Sequence, residues 1–89
     1  MKFIKFSAEW CGPCRAIKPI VERLSSEPKY SSIEFKEINI DEDDDDLSGK
    51  YLVRNVPTML MVDDEGNAIE RIVGSVSEAS LKQVLDRYI

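Results

Sequence analysis

The sequence predicts an α/β protein built on a small mixed sheet of four strands flanked by helices. Short runs of apolar, aromatic and β-branched residues alternate with stretches whose apolar residues recur at i, i+3, i+4 and i+7. These segments follow the order β-α-β-α-β-β-α. A strand–helix–strand beginning implies a parallel pair with a right-handed crossover, and a closing hairpin adds antiparallel pairing.

The first strand–helix–strand unit fills the first 40 residues. Strands are predicted at residues 2–7 and 33–40, where apolar and β-branched residues dominate. A helix is predicted over residues 11–26, because one helical face carries the apolar set Ile17, Ile20, Val21 and Leu24. Pro19 lies inside this helix and removes one backbone hydrogen bond, so a kink near Arg15 is expected.

The second half of the chain predicts a short helix, a hairpin and a last helix. The short helix at residues 47–52 is weakened by Gly49. Strands at 58–62 and 68–73 flank a turn at 64–67. Ser77 is suited to cap the last helix, whose apolar stripe consists of Leu81, Val84, Leu85 and Tyr88.

Length and composition favour one small intracellular domain. The chain has 89 residues, of which 43% are apolar, enough for one modest core, so residues 1–89 are predicted to form a single domain. No apolar run has the length of a membrane span or signal peptide, and Lys2 and Lys5 interrupt the N-terminal one. We therefore expect a cytoplasmic protein with no membrane partner.

The net charge of −5 is concentrated in one segment, because residues 41–46 are all acidic. This run predicts a solvated, self-repelling loop that leads into the short helix. A calcium loop needs glycine at its sixth position and glutamate at its twelfth, where this run places Asp46 and Leu52. Nucleic-acid binding is not expected either, since the chain has no basic cluster.

The chain's only two cysteines lie in the segment Trp10-Cys11-Gly12-Pro13-Cys14. Two intervening residues allow a cysteine pair to alternate between a disulfide and two thiols. The pair opens a predicted helix, where free N–H groups and the helix dipole favour thiolate over thiol. Cys11, nearer the helix start and expected to be the more exposed, is the candidate nucleophile, and Cys14 is the candidate resolving thiol.

Metal binding is the structural alternative for this pair. Zinc requires four ligands, whereas the chain offers two cysteines and no histidine. A dimer sharing a four-cysteine site, or an iron–sulfur cluster, would be needed. We therefore predict a redox pair that uses no metal and no cofactor other than its own disulfide.

Residues 8–14, Ala8-Glu9-Trp10-Cys11-Gly12-Pro13-Cys14, closely resemble the active-site segment of thioredoxins. The likeness extends over essentially the whole chain. Its further matches are the helix proline, the end of the second strand, an X-Pro loop, a hairpin glycine and a loop glycine: Pro19, Asn39-Ile40-Asp41, Val56-Pro57-Thr58, Gly66 and Gly74. The resemblance implies the thioredoxin-like fold. It also implies a cis bond before Pro57, which would expose the Val56 backbone to an extended substrate.

The resemblance further implies a shallow apolar patch around Cys11, lined by Trp10, Val56, Pro57, Gly74 and Ser75. Within the motif, Gly12 allows a tight turn and Pro13 stiffens the start of the helix.

The sequence departs from the thioredoxin pattern in two places. It begins where most thioredoxins have already formed a strand and a helix, which predicts a smaller core and a less covered sheet edge. It also carries Lys5 and Glu37 where the family usually has a buried aspartate and a lysine. We hypothesise that Glu37 takes over the aspartate's part in moving the proton of Cys14. An ion pair with no catalytic part is the alternative.

The function implied by the resemblance is reduction of protein disulfides in electron transport and redox homeostasis. Its implied partners are thioredoxin reductase or an equivalent electron donor, and disulfide-forming substrates such as ribonucleotide reductase. We expect a monomer. One alternative is a thioredoxin-like subunit that supports a larger enzyme without using its cysteines. Another is a glutaredoxin-like protein served by glutathione, which the Gly-Pro dipeptide argues against because glutaredoxins more often carry Pro-Tyr.

Overall fold

The four strands form one mixed sheet in the computed structural model, which describes residues 1–89. The strands are β1 (Lys2–Ser7), β2 (Glu34–Asn39), β3 (Thr58–Val62) and β4 (Ala68–Val73), in the order β2-β1-β3-β4. β1 pairs with β2 in parallel and with β3 in antiparallel orientation, and β3 pairs antiparallel with β4. The predicted mixed sheet, with its parallel first pair and closing hairpin, is confirmed.

Three α-helices accompany the sheet: α1 (Gly12–Ser25), α2 (Leu47–Lys50) and α3 (Glu78–Asp86). Two 3₁₀ turns that the sequence did not predict follow α1 and β2, at Pro28–Tyr30 and Ile40–Glu42. α2 is shorter than predicted, because Leu52 adopts a left-handed conformation with φ of 55°. A residue in that conformation cannot continue a right-handed helix.

Side chains at the helix starts explain where two of the helices begin. Cys11 is the N-cap residue of α1, and its sulfur accepts the N–H of Cys14. Ser77 caps α3 as predicted, since its hydroxyl oxygen accepts the N–H of Ser80 at 3.1 Å. Pro19 lies inside α1, also as predicted.

The core lies on both faces of the two central strands. Successive side chains of a strand point to opposite faces. Phe3 and Met59 therefore pack with α1 and α3, whereas Ile4 and Leu60 pack toward α2. β2, at one edge of the sheet, is only partly buried. This arrangement brings the end of β1 and the start of α1 together, and the two cysteines lie at that junction.

The acidic run is a solvated loop leading into α2, as predicted. All its residues are exposed except Asp43, whose carboxylate accepts the N–H groups of Leu47 and Ser48 at 3.0 and 2.7 Å. Hydrogen bonding by the Ser48 side chain and backbone holds the pKa of Asp43 below its ordinary value. The run thus supplies the cap of α2.

None of the helices has the length and apolar character needed to cross a membrane. No three histidine, cysteine, aspartate or glutamate side chains lie close enough together to hold a metal ion.

Candidate active site

Cys11 and Cys14 form a disulfide at the start of α1, with their Cα atoms 5.2 Å apart. Both are buried, with 5% and 3% of their surface exposed, and Ala8, Ile40 and Val56 pack against them. The sequence predicted Cys11 to be the more exposed cysteine. In the disulfide form the two are buried almost equally, because the same neighbours cover both.

The surroundings of the two sulfur atoms differ more than their exposure. The Sγ of Cys11 accepts the backbone N–H of Cys14 at 3.2 Å, in the first turn of α1. It also lies 3.6 Å from the carbonyl oxygen of Val56. N–H groups without a partner and the positive end of the helix dipole stabilise negative charge at this position. The geometry therefore favours a thiolate on Cys11 in the reduced protein.

The loop before β3 places Val56 beside Cys11. The Val56–Pro57 bond is cis, as the resemblance implied. Two hydrogen bonds anchor the loop, because the Gly74 N–H donates to the Pro57 carbonyl at 2.8 Å and the Thr58 hydroxyl donates to the Asn55 carbonyl at 2.5 Å. The first of these bonds ties the loop to the end of β4, and the second closes the loop against the start of β3.

Gly74 and Ser75 follow directly after β4. Gly74 has φ of 86°, in the left-handed region that favours glycine. Ser75 is exposed next to it. The hydrogen bond from Gly74 to Pro57 brings this segment to the side of the Val56–Pro57 loop. The patch around Cys11 that the resemblance implied for both residues stays a prediction.

Trp10 is a surface residue, with 66% of its area exposed. Its indole Nε1 donates to the carboxylate of Asp41 at 3.1 Å. It lines an open groove of about 400 Å³ together with Ile40 and Val56. Sequence reasoning missed this contact of Asp41, because it assigned that residue no part in the site. The match of Asn39-Ile40-Asp41 to the thioredoxin pattern was the available signal.

Lys5 and Glu37 form the predicted ion pair across β1 and β2. They occupy paired positions in the parallel register, and Lys5 Nζ lies 3.2 Å from a Glu37 oxygen. Lys5 is 2% exposed, whereas the Glu37 side chain is 47% exposed because β2 is an edge strand. The other Glu37 oxygen accepts the Ser7 hydroxyl at 3.3 Å, a partner that sequence reasoning missed.

The ion pair and Cys14 line the same cavity. This cavity, which we call the cysteine cleft, has a volume of about 470 Å³ and is lined by Lys5, Ser7, Ala8, Glu9, Cys14, Arg15, Lys18, Glu37 and Asn39. Gly12 and Pro13 lie exposed between the two cysteines. The cleft thus borders Cys14, whereas Val56 lies against the Cys11 sulfur.

The chain is similar to known thioredoxins in both sequence and structure. The thioredoxin family model matches residues 1–87. The thioredoxin of Porphyra purpurea is 36% identical over 86 residues, covering 97% of this chain and 78% of the relative. Chloroplastic thioredoxin M5 of Oryza sativa is 34% identical over 86 residues, which cover 97% of this chain and 48% of the relative. The X-ray structure of Fasciola hepatica thioredoxin superposes with a TM-score of 0.85 at 32% identity, covering 99% of this chain and 80% of that one.

These matches extend the resemblance found in the sequence to the whole fold. The four-stranded mixed sheet with three helices is that of the thioredoxin-like structures, and the cysteine pair lies at disulfide distance. Such a pair exchanges a dithiol for a disulfide. The family implies disulfide substrates and a reductase that recharges the pair. The chain therefore belongs to the thioredoxin family and is a thiol-disulfide oxidoreductase with protein-disulfide reductase activity.

Proposed function

We propose that Cys11 attacks the substrate and that Cys14 resolves the product. The Cys11 thiolate forms a bond to one sulfur of a substrate disulfide and releases the other sulfur as a thiolate. Cys14 then attacks the Cys11 sulfur, which releases the second substrate thiol and closes the Cys11–Cys14 disulfide. Two electrons pass to the substrate. The observation that carries this order is the Cys14 N–H on the Cys11 sulfur at the helix start.

We propose that the substrate lies against the residues around Cys11. Its backbone would pair with Val56, in the manner of an added β-strand. Its side chains would contact the exposed Trp10 and the rim formed by Gly12, Pro13, Pro57, Gly74 and Ser75. The short distance from Val56 to the Cys11 sulfur supports this placement, because a disulfide held there lies within reach of attack.

In our proposal Glu37 accepts the proton of Cys14 through water, and Lys5 orients the Glu37 carboxylate. Two observations support it. Glu37 and Cys14 line the same open cleft, and the half-exposed carboxylate can exchange its proton with solvent. A protonated lysine cannot accept a proton, so Lys5 acts only through its ion pair with Glu37.

The proposed setting is a reducing compartment, the cytoplasm, where residues 1–89 act as one domain and as a monomer. A thioredoxin reductase would supply electrons, and ribonucleotide reductase is a candidate substrate. Because thioredoxins with chloroplastic names also match this chain, compartment must be measured by locating the protein in fractionated cells. Cysteines with a redox role are typical of reducing compartments, which supports the cytoplasm.

Serine variants of each cysteine test the order of attack, with insulin as the disulfide substrate. Cys14→Ser should accumulate a mixed disulfide with insulin, because the first bond forms and cannot be resolved. Cys11→Ser should form none. Both should lose turnover by at least about a hundredfold. Mass spectrometry of the adducts and the rate of insulin reduction give the answer.

A mixed disulfide trapped by Cys11→Ser instead would reverse the assigned roles. Failure of the unchanged protein itself to reduce insulin would favour the binding-subunit alternative, in which the cysteines are dispensable.

The direction of electron flow can be measured from the equilibrium potential of the pair, titrated against a glutathione or dithiothreitol buffer. A potential within or below the cytosolic glutathione range, roughly −220 to −320 mV, supports a reductase. A potential near ~−180 mV or above would indicate an oxidant or isomerase instead.

A further inference from the structure

A second groove lies at the β4 edge of the sheet, next to the loop that carries Val56. This groove, which we call the β4 groove, has a volume of about 350 Å³ and is lined by Leu52, Arg54, Asn55, Thr58, Arg71 and Val73. Two of its lining residues are next in the chain to residues near the disulfide, because Asn55 precedes Val56 and Val73 precedes Gly74. Val56 lies against the Cys11 sulfur, and Gly74 is bonded to Pro57.

The β4 groove concentrates apolar surface exposed to solvent. Leu52 is 69% exposed and Val73 is 54% exposed, and they are two of the five large apolar residues that the chain exposes. Ile69, another of the five, lies at an irregularity in the pairing of β3 with β4 and does not line the groove. Apolar residues exposed singly need no explanation, whereas Leu52 and Val73 meet in one groove.

The backbone at Leu52 strengthens this argument. Leu52 has φ of 55°, a left-handed conformation that glycine adopts easily and a leucine side chain disfavours. The side chain is held in solvent by a conformation that is itself unfavourable. Neither burial nor backbone preference therefore accounts for a leucine at this position, whereas a contact with another molecule would account for it.

The charge of the groove defines what it can contact. The salt bridges formed by arginines involve Arg23 and Arg87, but not Arg54 or Arg71. Arg71 donates a hydrogen bond to the Tyr51 carbonyl, which fixes its side chain without neutralising it. The groove therefore offers two uncompensated positive charges in a chain whose net charge is −5.

We infer that the β4 groove selects protein substrates in which the reacting cysteine is flanked by an apolar residue and acidic residues. The apolar side chain lies against Leu52 and Val73, and the carboxylates meet Arg54 and Arg71. This inference rests on the proposed function, because it places the substrate along Val56. Charge complementarity of this kind sets partner preference and the rate of association.

Two peptides test the inference, and in each the cysteine is joined to 2-mercaptoethanol through a mixed disulfide. Both carry a leucine near a single cysteine, and they differ only in having glutamates or lysines beside it. The pre-reduced protein should reduce the glutamate peptide about fivefold faster than the lysine peptide. The difference should shrink at about 0.5 M NaCl, because salt screens exposed charges. Release of free peptide is followed by chromatography.

Variants locate the effect in the groove. Arg54→Gln with Arg71→Gln should remove the preference, and Arg54→Gln alone should reduce it without disturbing the Arg71 hydrogen bond. Lys29→Gln with Lys82→Gln is the matched control, because it also removes two positive charges. These lysines pair with Asp86 and Glu27, across the sheet from the groove. The control should keep the preference.

Leu52→Gly separates contact from stability. It relieves the left-handed backbone, so the midpoint of thermal unfolding should stay the same or rise. It should nevertheless slow reduction of the leucine peptide by about fivefold. A peptide with serine in place of the leucine should be reduced equally well by Leu52→Gly and by the unchanged protein.

Reduction of 2-hydroxyethyl disulfide, which is too small to reach the groove, should be unaffected in all these variants. If the unchanged protein reduces this compound and also reduces the two peptides at equal rates, the groove has no selective role and the proposed function stands. If it reduces none of the three disulfides, the proposed function itself fails.

Discussion

At the scale of single residues, the charged pair behind the cysteines departs most from the thioredoxin pattern. Lys5 is buried and Glu37 is half-exposed, so solvent reaches the carboxylate and not the ammonium group. A reversed pair of this kind places its carboxylate on an edge strand, where Glu37 lines the cysteine cleft. In the proposed mechanism, proton movement at Cys14 depends on a group that is open to water.

Glu37→Gln should slow disulfide reduction by about tenfold, because an amide cannot take up the Cys14 proton. The loss should be largest near neutral pH and smaller at alkaline pH, where Cys14 loses its proton to water without help. The measurement is the rate of insulin reduction against pH. Glu34→Gln is the matched control, since Glu34 lies on the same strand and pairs with exposed Lys2.

An unchanged rate and pH profile for Glu37→Gln would leave the pair as a structural ion pair. Thermal unfolding of both variants should accompany the kinetics, so that a loss of folded protein is not read as a loss of proton transfer.

At the scale of elements, α3 depends on its cap. The helix has nine residues, and the Ser77 hydroxyl satisfies one of its free N–H groups. Leu81, Val84 and Leu85 on its inner face belong to the main core. A weakened start of α3 therefore loosens the layer that covers one face of the sheet.

Ser77→Ala should lower the free energy of unfolding by about 1 kcal/mol, as expected for a lost helix cap. That corresponds to a fall of about 4–8 °C in the unfolding midpoint for a protein of this size. Ser32→Ala, at an exposed position outside the helices and strands, is the control and should change the stability by less than about 0.5 kcal/mol. Equal effects of the two variants would contradict the capping role.

Several elements could be predicted from the sequence and others could not. The strands at 2–7, 58–62 and 68–73 match their predicted bounds, because turn residues end each apolar run. The two 3₁₀ turns have no periodic pattern that would predict them. Ser7 and Asp41 escaped prediction because contacts across strands and between loops depend on the register and packing of the folded chain.

At the scale of the whole molecule, ionisable side chains link the segment around the end of α1 to α3, on the same face of the sheet. Tyr30, in the turn after α1, donates its hydroxyl to Asp86 at the end of α3 at 2.7 Å. Burial first, and then the hydrogen bond to Asp86, raises the pKa of Tyr30 to about 12. Hydrogen bonds from Lys29 and then Tyr30 lower the pKa of Asp86, as Arg23 does for Glu78.

These shifts predict stability that falls at both extremes of pH. A lowered carboxyl pKa contributes stability that is complete above the ordinary values of 3.8 and 4.5, and that is lost as the pH falls through the folded-state values. The raised tyrosine pKa contributes stability that is complete below pH 10 and is lost as the pH rises toward about 12. The free energy of unfolding, measured with urea across the pH range, reports both losses of stability.

Tyr30→Phe separates the loss of stability at alkaline pH from the loss at acid pH. It should flatten the loss of stability above pH 10 and leave the Glu78 contribution at acid pH in place. Some alkaline loss should remain, because the hydrogen bond to Glu70 also raises the pKa of Tyr88. An alkaline loss of unchanged steepness would show that Tyr30 ionises as freely in the folded protein as in the unfolded chain.

The edge strand β2 has a consequence for the behaviour of this protein at high concentration. An unpaired strand edge invites the same edge of another molecule to extend the sheet. Glu34, Lys36 and Glu37 project from β2 into solvent, and two of them are held by lysines of β1. Stacking a second copy there would crowd like charges or bury them without partners. Glu37, the carboxylate of β2 that adjoins the redox site, therefore also opposes fibre growth from this edge.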